Sequence, residues 1–219
     1  MPLAKFALPT GVHEPAPDTL TRSQAASRLG IAMGAVDKLV AAHVLTLPIR
    51  SDVVERIERR SYLVAEEGEL TVLRTDARKP AYPGEDRKWI GFSTEHTDCE
   101  LEQTSLRWWR SYPRRVIDNE LYAVTIASLP VAVYKIDGVE AELVRRGEDR
   151  PRFHYRGTLL HRSHPGMSDL QLSPAVPVQY QEQVRQIMSS RIKVVSGGPI
   201  GYLGADPSAA FAGTVEGVK

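Results

Sequence analysis

The chain has 219 residues, 42% of them apolar and 25% charged, and a formal net charge of +1. That length suits two ordinary domains and that composition a folded, water-exposed chain, while no apolar run is long enough to cross a bilayer. Cys99 is the one cysteine, which excludes an internal disulfide and argues against a cysteine-based zinc site; a cytoplasmic location without membrane contact is expected.

Residues 1–18 lack the apolar core of a secretory leader and carry prolines through their second half, so they are expected to form a flexible arm. Residues 21–44, TRSQAASRLGIAMGAVDKLVAAHV, then carry the spacing of two short helices joined by a glycine turn. Thr21 and Gln24 are placed for a capping box, Ala25, Ala26 and Leu29 form a small apolar face, and Gly30 sits where the chain must leave the first helix. Ile31, Val36, Leu39 and Val40 continue the apolar pattern into a second helix. In a helix-turn-helix the second helix enters the major groove and the first crosses the phosphate backbone. The exposed positions of that second helix are Met33, Gly34, Ala35, Asp37 and Lys38, of which only Lys38 is a residue type that makes bidentate base contacts. The competing reading is a plain helical hairpin packed on the rest of the chain.

The segments LTRSQAASRLGI, AVDKLVAAHVL and IRSDVVERIERR resemble the small helix-turn-helix of excisionase and MerR-like proteins of bacteria and their phages. The resemblance covers about the first quarter of the chain. It implies double-stranded DNA as partner, with Thr21, Arg22, Ser23, Arg50, Arg59 and Arg60 as backbone contacts. In that family a basic hairpin wing follows the second helix. Here residues 45–50 are shorter than a wing, and Ala32 stands where a capping Ser or Thr is usual.

A third helix is expected over residues 51–62, capped by Ser51, with Val53, Val54 and Ile57 buried and Arg59 and Arg60 in its last turn. The trihelical unit would span 19–63. From residue 64 to 205 the pattern turns β-rich. Strands are expected at 70–75, 88–93, 120–127, 131–137, 139–146, 152–160 and 191–195, with Asp137-Gly138 as a hairpin signal. Helices are expected at 97–110, where Thr97 and Glu100 form a second capping box, and at 178–190. This irregular order predicts an α+β fold whose second part is a mixed, strongly bent sheet or small β-barrel with two helices. The order SLRWWRSYPRR, ELYAVTIASLPVAVYKIDG, RFHYRG, GGPIGYLG is similar to PUA-like β-barrel modules, which implies a second nucleic-acid contact. Residues 206–219 are expected to be a disordered tail.

Charge is nearly balanced in both parts: residues 1–60 hold eight basic and six acidic side chains, so nucleic-acid contact must come from local clusters. In the second part the candidates are Arg107, Trp109, Arg110, Arg114 and Arg115. With Trp108 and Trp109 adjacent on one helix, one would face the core and the other could stack on a base beside the arginines. His154, His161 and His164 lack accompanying cysteines or clustered carboxylates and are expected to be loop histidines, not metal ligands. No G-x-S-x-G, phosphate-loop or H-E-x-x-H motif occurs, and 197–205 is expected to be a closing turn burying Ile200 and Tyr202. No cofactor, metal or enzymatic activity is expected. The leading reading is a sequence-specific DNA-binding regulator, of the phage or mobile-element repressor kind, with the second part adding DNA contact or forming a homodimer. The other reading is a defence-system module binding a nucleic-acid base or small ligand, with the helical unit as adaptor.

Overall fold

The computed structural model describes residues 18–167, 172 and 176–204, so most of the predicted arm and all of the predicted tail lie outside the described residues. A two-residue strand, β1 (Thr19–Leu20), leads into α1 (Arg22–Leu29). The capping box forms as predicted: the Thr21 hydroxyl accepts the Gln24 N–H at 3.2 Å, and the Gln24 side-chain oxygen accepts the Thr21 N–H at 2.8 Å. Gly30 closes the helix at φ 62°, a left-handed conformation that favours a residue without Cβ. α2 (Met33–Ala41) follows.

Residues 45–50 make no wing. Instead β2 (Ile49–Arg50) pairs antiparallel with β1. That ladder holds residue 50 extended, and α3 (Ser51–Glu58) starts directly after it. Ser51 is therefore the first helical residue, not the cap, and its N–H donates to the Asp18 carbonyl at 2.7 Å. The helix stops short of the predicted residue 62 because the chain turns to meet the segment after the last helix: the Arg191 N–H donates to the Ser61 carbonyl at 2.8 Å.

The remainder contains β3 (Glu69–Arg74), β4 (Lys79–Pro80), β5 (Trp89–Ile90), α4 (Asp98–Ser105), α5 (Pro113–Asp118), β6 (Leu121–Ile126), β7 (Leu129–Leu143), β8 (Arg152–Arg162), α6 (Val178–Ser189) and β9 (Ile200–Gly204). The fold is mixed α+β, with six α-helices among the described residues. Its main sheet has the order β8-β7-β6-β3-β9, with β3 and β6 parallel and all other neighbours antiparallel. The edge strands β8 and β9 do not pair, so the sheet is open and the predicted barrel alternative is corrected.

The sheet is covered on both faces, and side chains alternate between them with the period of two that strands impose. Val72, Ala123 and Val133 pack under α6 with Tyr180, Val184, Ile187 and Met188. Their neighbours Leu73, Val124 and Tyr134 join the opposite cluster, which runs without interruption through Phe92, Leu101 and Val116 to Leu29, Leu39 and Ile57 of α1–α3. The helical segment and the sheet thus share one core.

Several boundaries differ from expectation for identifiable reasons. The strand predicted over 88–93 shrinks to β5, because Gly91 turns at φ 82° against residue 77, where a Cβ would lie 2.5 Å from the Ala77 carbonyl oxygen. The helix predicted over 97–110 keeps its Thr97–Glu100 capping box but ends at Ser105. Beyond it the chain pairs with β8, the Trp109 N–H donating to the Phe153 carbonyl at 3.1 Å and the Phe153 N–H returning to the Trp109 carbonyl at 2.9 Å. α5 lies outside the predicted helices, although Pro113 at its start suits the first turn of a helix. The expected hairpin at 137–138 does not form. β7 runs straight through it, with a register shift between Ile136 and Gly138 against β8 that a bulge absorbs. The tight turn lies instead at Ala127 and Ser128, between β6 and β7. Finally, 191–195 is not a strand, and the predicted closing turn is β9, paired with β3.

Candidate nucleic-acid interface

The residues predicted to read DNA lie on α2, which packs against α1 across the Gly30 turn. In α2, Val36 and Leu39 are fully buried, which turns Met33 and Gly34 outward; Met33 is 56% exposed. Ala35 is half-buried. No side chain caps this helix, since Ala32 occupies the cap position at φ −65°, ψ 149°. Its first-turn amides therefore lack a side-chain acceptor, and the positive end of the helix dipole is left open to an anion.

The two charged members of the predicted set are already paired. Asp37 meets Arg22 of α1 at 3.2 Å, and Lys38 is ion-paired with Asp76, which follows β3. Adjacent positions on a helix diverge by about 100°, so these two contacts lie on either side of the exposed face of α2. The C-terminal end of α2 is tied to the sheet region as well. The Thr94 N–H donates to the Ala42 carbonyl at 3.0 Å, and Glu95 is shared between His43 at 3.1 Å and Arg78 at 2.7 Å.

The predicted backbone contacts divide. Arg22 and Ser23 are exposed at the start of α1, whereas the Thr21 hydroxyl is occupied within the capping box. Arg50 holds Asp52 through two hydrogen bonds of 2.9 and 3.1 Å, which raise the arginine and lower the carboxyl from their ordinary values. Arg59, the residue that ends α3, is ion-paired with Glu55 one turn back. Arg60 points inward to the Met188 carbonyl at 2.9 Å, and burial lowers its pKa.

The second predicted cluster is not brought together. Trp108 and Trp109 lie beyond α4, so the expectation that they share a helix is corrected, and both are half-buried. Trp109 donates its indole N–H to the Ser105 carbonyl at 2.7 Å, while Trp108 meets the His154 ring edge-on at a centroid separation of 5.6 Å. Each arginine has a carboxylate neighbour: Arg107 with Asp86 at 2.6 Å, Arg110 with Glu148 at 3.3 Å, Arg114 with Asp118 at 3.7 Å, and Arg115 with Glu69 in a two-pronged contact. The last pair is buttressed by Tyr202, over whose ring Arg115 lies at 3.9 Å, and the Arg115 hydrogen bond holds the Glu69 carboxyl below its ordinary value. The histidines also differ from expectation, because His154 and His161 lie in β8 and not in a loop.

Residues that sequence reasoning missed surround Lys38. Asp76 neutralises it, and Arg74 and Lys193 line the same cleft of about 530 Å³. Only the pairing of β3 with β6 and the return of the chain after α6 bring these positions together. No periodicity or motif in the sequence signals it. Comparison with protein-family models, curated proteins and solved structures finds no match to this chain.

Proposed function

We propose that the chain is a sequence-specific DNA-binding protein, a transcriptional regulator of the phage or mobile-element repressor kind. In this reading the first turn of α2 enters the major groove and the start of α1 lies on the phosphate backbone. The observation that carries it is the outward, uncapped first turn of α2 at Met33 and Gly34, beside exposed Arg22 and Ser23, while the other end of α2 is anchored to the sheet. An anchored helix with one free end presents that end in a fixed orientation, as groove reading requires. One small helical unit buries too little surface for tight specific binding, so a homodimer or a second DNA contact belongs to the same proposal.

Selection of bound sequences from a random duplex pool by the full chain tests it. An enriched motif supports the reading, and a palindromic motif identifies the dimer. Binding without enrichment, or no binding, removes it.

A further inference from the structure

The cleft beside Lys38 lies at the carboxyl ends of β3 and β6, the one parallel pair in the main sheet. It is lined by Arg74 at the end of β3 and Thr75 after it, by Thr125 of β6 and Ser128 in the turn that follows, and by Lys193 and Gly198 from the segment that precedes β9. Among the described residues lining it, three are cationic (Lys38, Arg74, Lys193) and one, Asp76, is anionic. Arg74 is committed to carbonyl oxygens, that of Ser196 at 2.8 Å and that of Gly198, and so keeps an uncompensated charge. Lys193 is exposed and makes no ion pair among the described residues. The rim is also a place of backbone strain, since Ala127 and Ser128 both adopt positive φ, 49° and 69°.

The position of the cleft relative to α2 gives this charge a direction. The chain from 76 to 78 runs beside α2 in the same sense, Asp76 at Lys38 and Arg78 joined through Glu95 to His43. An α-helix is about 10–12 Å across and the major groove about 12 Å wide, so a helix seated there has a phosphate strand on each flank. Arg22 serves the Asp37 flank, and the cleft lies on the Lys38 flank.

We propose that this cleft is a second phosphate-backbone site, through which the sheet region clamps the DNA strand opposite the one met by α1. The assignment rests on the DNA-binding reading above. Lys193 supplies the free charge, Arg74 shapes the 196–198 loop while adding its own, and Asp76, the one carboxylate among the described lining residues, repels phosphate from the cleft.

The test measures binding of the full chain to a labelled random-sequence duplex across a salt series, comparing wild type with Lys193→Ala and Asp76→Asn. Both positions are exposed, so both variants are expected to fold, which circular dichroism checks. Loss of one phosphate contact lowers the slope of log affinity against log salt by about 1 and weakens every sequence about equally. Lys193→Ala is expected to do this, and Asp76→Asn to tighten binding. Wild-type binding with an unchanged slope in Lys193→Ala overturns the clamp and leaves the DNA-binding reading standing, whereas no binding by wild type overturns both. Stabilisation by inorganic pyrophosphate at constant ionic strength that disappears in Lys193→Ala, without any change in the DNA slope, assigns the cleft to a free phosphorylated ligand and also overturns the clamp.

Discussion

Arg191 donates a guanidinium N–H to the carbonyl of Leu29 at 2.9 Å, joining the end of α1 to the chain just after α6. The residue is 9% exposed and its guanidinium lies over the Tyr62 ring at 5.0 Å, while its backbone N–H holds the Ser61 carbonyl. One buried residue thus fixes the helical segment on the sheet from three directions. It makes no carboxylate pair among the described residues, so its charge is compensated by a carbonyl and a ring.

Arg191→Met keeps most of the side-chain length and removes the donor. A hydrogen bond from a charged group is worth about 1.5–3 kcal/mol, and the variant is expected to lose about 2 kcal/mol in urea denaturation. Cleavage by a protease within 59–66 should quicken as the helical segment loosens. An unchanged midpoint together with unchanged cleavage would show that the shared apolar core alone fixes the two parts.

The turn between β6 and β7 joins the paired residues Ile126 and Leu129 through Ala127 and Ser128 only. Two-residue hairpin turns with positive φ at both positions favour Asn-Gly. The double substitution Ala127→Asn with Ser128→Gly is therefore expected to stabilise the protein by about 1 kcal/mol, read as a higher melting temperature. The backbone carbonyl at position 128, which accepts the Ile192 N–H at 2.8 Å, is retained by the change. A lower melting temperature would mean that the alanine or serine side chain contributes contacts worth more than the strain.

Burial lowers the pKa of His96, His154 and His161. His96 is 3% exposed; its Nε2 lies 3.2 Å from the Gly91 carbonyl, and Glu100, Arg78 and Arg162 are its charged neighbours. The unfolded chain binds protons at these positions near the ordinary value of 6.5, where the folded chain does not. Stability is therefore full above that pH and falls as pH drops through it toward the folded values. A second loss follows at lower pH from carboxylates held down by partners, among them Glu148, which its hydrogen bond with Arg152 brings to about 2. Melting temperature should drop between about pH 7.5 and 5.5, and His96→Gln should flatten that slope. A slope identical in the variant would place the proton uptake at His154 and His161.

The Lys38–Asp76 pair is half exposed on both sides, 51% and 59%, so it contributes less than about 1 kcal/mol to folding. Lys38→Ala is expected to leave the melting temperature nearly unchanged and to narrow the affinity gap between a selected duplex and a random one. An undiminished gap would remove Lys38 from sequence reading and leave that role to Met33 and the first-turn backbone.

Local chemistry was legible in the sequence wherever neighbours in the chain decide the outcome. Both capping boxes, the left-handed Gly30, the buried stripe of α2 and the extent of α6 need only residues three or four apart. The continuous apolar runs of β6 and of the first half of β7 mark strands covered on both faces. Distant pairing decided the rest. Trp108 and Trp109 satisfy a helical pattern, yet hydrogen bonds to β8 draw the chain out of α4. Asp137-Gly138 is a sound turn signal, but the long register with β8 carries the strand through it. The separation of Asp76, Arg74 and Lys193 in sequence hid their convergence on Lys38, because charge partners are chosen by the meeting of strand ends and not by spacing. Where α1, α2, α4 and α6 begin, and which residues β6 and the first half of β7 bury, was thus already settled along the chain, since these follow from backbone geometry over a few residues. Strand order, the open sheet and the choice of which charges go unpaired came from folding in three dimensions, since each depends on contacts between segments whose spacing along the chain carries no signal.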